Sequence, residues 1–240
     1  MQEVEPRYRR VLLKLSGEVL MGDKQFGVDA NVVDRLAKEV KEGHGLGVEI
    51  GIMIGGGNFF RGVSEEGKQF ERSTADTAGM LATVMNGLIL QDALEKIGLQ
   101  TRVLSAIQMP QVCEMFIRRR AMRHLEKGRV VIFVAGTGHP YFSTDTGAAL
   151  RALEIGAQAI LKGTKVDGVF SDDPQKNREA MFYRSLTFQE VLEKNLRVMD
   201  QTAVALCREN KLAIHVFNIR VPGNIPAILR GDDIGTTIKA

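Results

Sequence analysis

"EIGIMIGGGNFFRG", residues 49–62, is the stretch from which the fold can be read. Its first half, Ile50 to Ile54, is an apolar run of strand length with no polar alternation. Runs of that kind belong to strands covered on both faces. Three glycines follow at once, Gly55, Gly56 and Gly57, and Arg61 stands four residues beyond the last. Glycine loses more backbone freedom on folding than any other residue, so a triplet weakens a strand end. It makes sense where something must come close to the backbone. Phosphate oxygens meeting backbone amides fit that description, with the planar fork of Arg61 closing on them.

Outward from this stretch, short β-branched runs alternate with helical patterns. Strands are predicted over 10–15, 48–54, 101–105, 129–136, 157–163 and 213–218, with a short one over 235–239. Between them lie helices. Residues 31–43 place Val32, Val33, Leu36, Ala37 and Val40 on one face, with Gly43 as a stop. Residues 74–98 form a long helix apolar nearly all round, which belongs in the core or in a subunit interface. Further helices are expected over 114–127, 144–156, 187–194 and 200–210. Strand–helix alternation is the signature of an α/β fold with a mainly parallel central sheet covered on both faces. No linker or internal repeat interrupts it, so residues 1–240 read as one domain. The polar, turn-rich segment 164–186 reads as a mobile projection from it.

Composition narrows the class. The chain has 240 residues, 44% hydrophobic and 25% charged, enough for one large globular core. Net charge is +3, with acids and bases interleaved. The basic run Arg118 to His124 lacks accompanying aromatics and reads as a solvated helix face, not a nucleic-acid surface. Two cysteines, Cys113 and Cys207, outside any CxxC pattern, argue against structural zinc and suit a reducing compartment. With no secretory pattern and no membrane-length apolar run, a cytoplasmic location is the default expectation.

Four strand ends carry the chemistry: Lys14 to Gly17, Gly55 to Gly62, Ala135 to Gly147, and Lys162 to Gly168. Ligands of open parallel sheets bind beyond such carboxyl ends. Glycine and hydroxyl loops offer amides to anions, and Lys14, Arg61, Lys162 and Lys165 add positive charge. Neither the Walker pattern nor the dinucleotide fingerprint is present, since Phe60 and Tyr141 stand where the latter needs a third glycine. Lys14, inside an apolar strand, needs a partner or an anionic ligand, because an unpaired buried ammonium is costly. Lys162 raises the same question. Asp145 reads equally as a helix N-cap or a catalytic carboxylate. Asp172 and Asp173 before Pro174 read as a turn, and Asp76 as a first-turn helix charge. No nucleophile–base pair is apparent. Phosphoryl transfer needs none, only in-line positioning and positive charge about the migrating group.

Six ordered motifs, "LLKLSGE", "IGGGN-x-x-RG", "MLATVMNG", "AGTG-x-P-x-F-[ST]TD", "LK-x-TKVDGV[FY]-x-x-DP" and "EVLE-x-x-L-x-VMD", resemble those of the bacterial uridylate kinases of the amino acid kinase family. The resemblance runs from Tyr8 to the C-terminus. It implies a three-layer αβα sandwich and the reaction of ATP and UMP to ADP and UDP, with magnesium, in pyrimidine nucleotide biosynthesis. It implies a homohexamer, a trimer of dimers, with the long helix in an interface. Carried over by motif, ATP phosphates meet Lys14, Leu15, Ser16 and Gly17, with Gly57 and Arg61 alongside, and the adenine end lies near Thr164, Phe170 and Asp173. UMP meets Gly56, Asp76 and the stretch Thr137, Gly138, His139, Pro140, Tyr141, Phe142, Ser143 and Thr144. Lys14 and Lys162 stabilise the migrating group and Asp145 orients them; no protein side chain is expected as a metal ligand. UTP is the expected feedback inhibitor. GTP is an expected effector of the family, whose responsive members carry cations where this chain has Gln91 and Glu95, while Arg102 and Arg129 match. His139 and Tyr141 also depart from the common Asn and Phe. A same-fold acyl-acid kinase and a nucleotide sensor without turnover are the alternatives, separable by acceptor choice and by turnover.

Overall fold

The computed structural model describes residues 5–60 and 69–240. Eleven strands and seven α-helices follow one another among the described residues. Nine strands form one sheet, in the order β4-β3-β5-β2-β1-β6-β10-β11-β9. These are β1 (Arg10–Leu15), β2 (Glu49–Ile54), β3 (Thr101–Ser105), β4 (Glu114–Met115), β5 (Val130–Val134), β6 (Ala159–Thr164), β9 (Ser185–Thr187), β10 (Ala213–Asn218) and β11 (Thr236–Lys239). All pairs are parallel except β10 with β11. The remaining two, β7 (Val169–Phe170) and β8 (Phe182–Tyr183), make a small antiparallel hairpin.

The unbroken apolar runs are explained by burial on both faces. Along β1, Val11, Leu13 and Leu15 enter one core cluster while Leu12 enters the other. The first cluster lies under α1 (Ala30–Gly45), α2 (Arg72–Lys96) and α7 (Asn224–Arg230). The second lies under α3 (Arg118–Glu126), α4 (Thr144–Glu154), α5 (Phe188–Glu193) and α6 (Gln201–Glu209). Helices on both faces of a mainly parallel sheet give the three layers expected from the alternation.

Local chemistry sets the helix ends. Asp29 caps α1, accepting from the Asn31 amide. Thr187 and Glu190 form a reciprocal capping box on α5. Asp200 caps α6 through the Ala203 amide. Gly43 is not the stop of α1. The helix continues to Gly45, and a side chain at Gly43 would run into Leu229 of α7, so the glycine is there for packing. The turn comes at Gly47, with φ +83°. The helix expected from 114 starts only at Arg118, because Glu114 and Met115 pair instead with Leu104 and Ser105 at the sheet edge. The sequence reading missed α7, whose Pro226 sits in its first turn, where proline is tolerated. The long α2 packs Leu90, Ala93 and Leu94 inward, but Leu81 and Met85 are each 49% exposed. In one chain, then, it is only half buried.

Candidate active site

The four strand ends singled out in the sequence lie side by side, because β5, β2, β1 and β6 are consecutive in the sheet and parallel. At their carboxyl edge Lys14 of β1 is the direct register partner of Lys162 of β6. Two ammonium groups on neighbouring strands repel unless something negative lies between them. Asp145 does, from the first turn of α4: its Oδ1 is 2.5 Å from Lys14 Nζ and its Oδ2 is 2.8 Å from Lys162 Nζ. Lys14 is only 6% exposed. The need for a partner at Lys14 is thus met inside the chain.

The helix-cap reading of Asp145 falls away. Ser143 caps α4, its hydroxyl accepting from the amides of Asp145 and Thr146. The Asp145 carboxylate is left to the lysines. Burial would raise its pKa, but the charges and hydrogen bonds of Lys14 and Lys162 outweigh this and hold it below the usual carboxylate range. Burial and the neighbouring Lys14 charge lower the pKa of Lys162, against the pull of Asp145. A second layer supports the triad. Lys162 Nζ also donates to the Val198 carbonyl at 2.5 Å. Asp200 accepts from the hydroxyls of Ser143 and Thr146, the latter at 2.9 Å. The sequence assigned Asp200 no role, although an acid just before a helical pattern is an N-cap signal.

The glycine loops nest against one another. A side chain on Gly17 would meet the Asn58 side chain and, at 2.7 Å, the Gly55 carbonyl. One on Gly56 would lie 2.7 Å from both Ala82 Cβ and the Gly79 carbonyl of α2. At Gly55 the Gly17 amide nitrogen stands 3.1 Å away. The space denied to side chains at Gly55 and Gly56 is therefore filled by protein, so packing is a further reason for these two glycines beside the approach of phosphate. Buried Asn58 and Asn86 exchange amide hydrogen bonds at 2.9 and 2.7 Å, and Asn86 also donates to the Gly55 carbonyl. Thr83 of α2 accepts the Ala135 amide at 2.7 Å, fixing the left-handed turn (φ +60°) that opens the loop after β5. These contacts explain the polar residues of "MLATVMNG", which periodicity alone left unexplained.

Asp76 is more than a first-turn charge. Its carboxylate accepts the Tyr141 amide at 2.8 Å and pairs with Arg72 at 2.7 Å, which brings it against the loop Thr137 to Thr144. In that loop Thr137 accepts the His139 amide, and Tyr141 and Phe142 are 67% and 52% exposed. Thr144 stands beside Gly55. On the other side of the lysines a cleft of about 680 Å³ opens, lined by Lys162, Thr164, Phe170, Asp173, Val198 and Val216. Lys165, from the same loop, pairs with Glu18 at 2.6 Å. Asp172 and Asp173 do form the turn expected of them, Asp173 accepting the Gln175 amide. Leu15, Ser16 and Gly17 follow Lys14 directly into the nested loops. Arg61 lies outside the described residues. The geometry thus sets a cleft on one side and the loop Thr137 to Thr144 on the other of two largely buried lysines, with a carboxylate between them.

The amino acid kinase family profile matches residues 9–218. The chain belongs to the amino acid kinase family. It is 58% identical over 234 residues to a uridylate kinase of Paramagnetospirillum magneticum, covering 98% of each chain. Among solved structures it is similar to the UMP kinase of Bacillus anthracis, with a TM-score of 0.93 and 40% identity over 97% of this chain and 96% of that one. The UMP kinase of Ureaplasma parvum gives a TM-score of 0.92 at 38% identity, covering 98% and 100%. The αβα architecture expected from strand–helix alternation is the architecture of this family.

Proposed function

We propose that this kinase-family chain phosphorylates UMP to UDP at the expense of ATP, as a nucleoside monophosphate kinase of pyrimidine nucleotide biosynthesis. The observation that carries this reading is the Lys14–Asp145–Lys162 triad, set between the cleft that Lys162 lines and the loop that ends at Thr144. The names of its relatives support the substrate. The donor lies in the cleft of Thr164, Phe170 and Asp173, its phosphates reaching Lys14, Leu15, Ser16, Gly17, Gly57 and Arg61. The acceptor lies over Gly56, Asp76 and the stretch Thr137 to Thr144.

A phosphate oxygen of UMP attacks the γ-phosphorus in line, and the bond to the β–γ bridging oxygen breaks as ADP leaves. Lys14 and Lys162 meet the charge that spreads over the migrating group, and Asp145 keeps both side chains aimed at it. Magnesium would enter with the ATP phosphates; among the described residues no cluster of three or more His, Cys, Asp or Glu stands ready to hold an ion.

UTP, sharing the uridine and carrying more phosphate, would compete at the acceptor site. GTP is the candidate effector at the cleft of Gln91, Glu95 and Arg102. The half-exposed Leu81 and Met85 on α2 suit an interface within a homohexamer. No helix among the described residues is long and apolar enough to cross a membrane, and we place this single-domain enzyme in the cytoplasm.

The test is ADP release with Mg-ATP and, separately, UMP, CMP, dUMP, acetylglutamate or carbamate. Rapid release with UMP alone is expected, and Lys14→Ala should abolish it. No release with any acceptor despite UMP binding would replace the kinase by a nucleotide sensor.

A further inference from the structure

We propose that Thr236, far along the chain from every loop discussed above, is a positioning residue for the donor nucleotide. Its hydroxyl pins the β7–β8 hairpin over the cleft and thereby sets ATP affinity separately from UMP affinity. The proposal rests on the donor placement above.

Thr236 opens β11 and is fully buried. Its hydroxyl accepts the Val169 amide at 2.8 Å and donates to the Tyr183 carbonyl. Val169 and Tyr183 are directly paired across the hairpin. One hydroxyl, with a single proton and its lone pairs, therefore engages both strands at the hairpin's root. Gly168, the residue before β7, completes the seat. A side chain there would lie 2.7 Å from the Phe182 ring and 3.1 Å from the Thr236 amide nitrogen. Thr236 is itself held opposite Val216 of β10, one of the residues lining the cleft.

Beyond this root the hairpin has few ties of its own. Its strands are two residues each. Further out, Ser171 and Met181 exchange hydrogen bonds at 2.9 Å, and Phe170 packs on Phe182 at 5.2 Å. An isolated two-stranded hairpin is marginal in water, so its position over the cleft depends on the root. Val169, Phe170, Ser171, Asp172 and Asp173 all line the donor cleft. The acceptor loop, in contrast, hangs from β5 and α4 and is tied to Asp76. Loosening the root should therefore be felt by one substrate and not by the other.

The experiment compares Thr236→Val, which keeps the shape but leaves the Val169 amide and Tyr183 carbonyl unpaired, with Thr236→Ser, which keeps the hydroxyl. The expected result for valine is a KM for ATP raised about tenfold, as for a lost pair of buried hydrogen bonds. The KM for UMP, and kcat at saturating ATP, should stay within about twofold of wild type. Serine should restore the ATP value. Trypsin cleavage at Lys176 or Arg178 should be faster in the valine variant and slowed again by ATP. Should the valine variant not fold, Gly168→Ala, which pushes the root off Thr236 from the other side, should give the same split.

An unchanged KM for ATP in a folded variant, or equal rises for both substrates, overturns the proposal. Direct ATP titration of Phe170→Ala separates the two layers. If that variant binds ATP as wild type does, the donor placement fails and this proposal with it. If it binds weakly while Thr236→Val is normal, only the role of Thr236 fails.

Discussion

Lys14 and Lys162 are direct partners across β1 and β6, two ammonium groups side by side at the carboxyl edge of the sheet. Such a pair repels unless a negative group lies between its members, and Asp145 spans the two. Burial of two like charges for one carboxylate leaves an excess of positive charge. That excess is the property a migrating phosphoryl group needs from its surroundings.

Replacing the carboxylate should damage both chemistry and stability. For Asp145→Asn we expect kcat to fall about 100-fold or more, in the range seen when a preorganised charge contact is lost. We also expect a loss of about 3 kcal/mol in unfolding free energy, since removing one partner strands a buried charge. The sign of the pH effect follows from its depressed pKa. Its contribution is present above the usual carboxylate pKa and is lost as pH falls through the lower folded value. Urea midpoints of wild type and variant should therefore converge in acid. Midpoints that stay equally far apart at all pH values would rule out the ionised triad.

A second acid-sensitive group lies on β10. His215 is 1% exposed, bonded through Nε2 to Tyr8 at 2.5 Å and through Nδ1 to Thr237 at 3.0 Å. Burial and the nearby Arg7 charge lower its pKa to about 4. The unfolded chain takes up this proton near pH 6.5, the folded chain only near 4, so stability falls as pH drops through that window. The full effect is on the order of 3 kcal/mol. His215→Gln should flatten the pH dependence of the urea midpoint between pH 7 and 4.5. A wild-type midpoint that does not move across this range would refute the neutral buried imidazole.

The strands and their order of chemistry were legible because β1, β2, β5 and β6 are buried on both faces and read as continuous apolar runs. Lys14 and Lys162 stood out for the same reason, as charges within such runs. What was not legible depends on contacts distant in sequence. Gly43 looks like a helix stop until Leu229 is seen against it, and α7 hides behind Pro226. Asp145 offered two readings because a first-turn acid is chemically suited to both. Only the presence of Ser143 in the capping position and of both lysines beside the carboxylate decides between them. The pairing of Asn58 with Asn86 has no local signal at all, since it joins a loop to a helix across 28 positions.

Gly56 tests the nested loops. Its missing side chain would meet Ala82 and the Gly79 carbonyl at 2.7 Å, and both belong to α2. Neither is the free end of a flexible chain, so Gly56→Ala must part the loop from the helix. We expect a loss of about 1–3 kcal/mol in a urea titration, typical of overpacking, together with a raised KM for UMP. A variant as stable as wild type would show that α2 yields easily. In that case the glycine would be kept for a ligand after all.

The response to GTP should be weak, and the reason is charge pairing at the candidate effector cleft. Arg102 lies 3.4 Å from Glu95 and 3.8 Å from Glu114, and Glu114 also approaches Arg120 at 3.7 Å. Arg129 is turned toward His124 and Gln100 at 3.0 and 3.2 Å. Each exposed pair is worth little alone, but a triphosphate entering this cleft of about 620 Å³ meets two carboxylates among its arginines. We expect GTP to change the initial rate at subsaturating ATP by less than about twofold, since exposed pairs of this kind offer little binding energy. Glu95→Gln should enlarge the response by removing the nearest acid. Strong activation of the wild type would show that GTP draws its cations from elsewhere, and no gain in Glu95→Gln would show that Glu95 is not what opposes it.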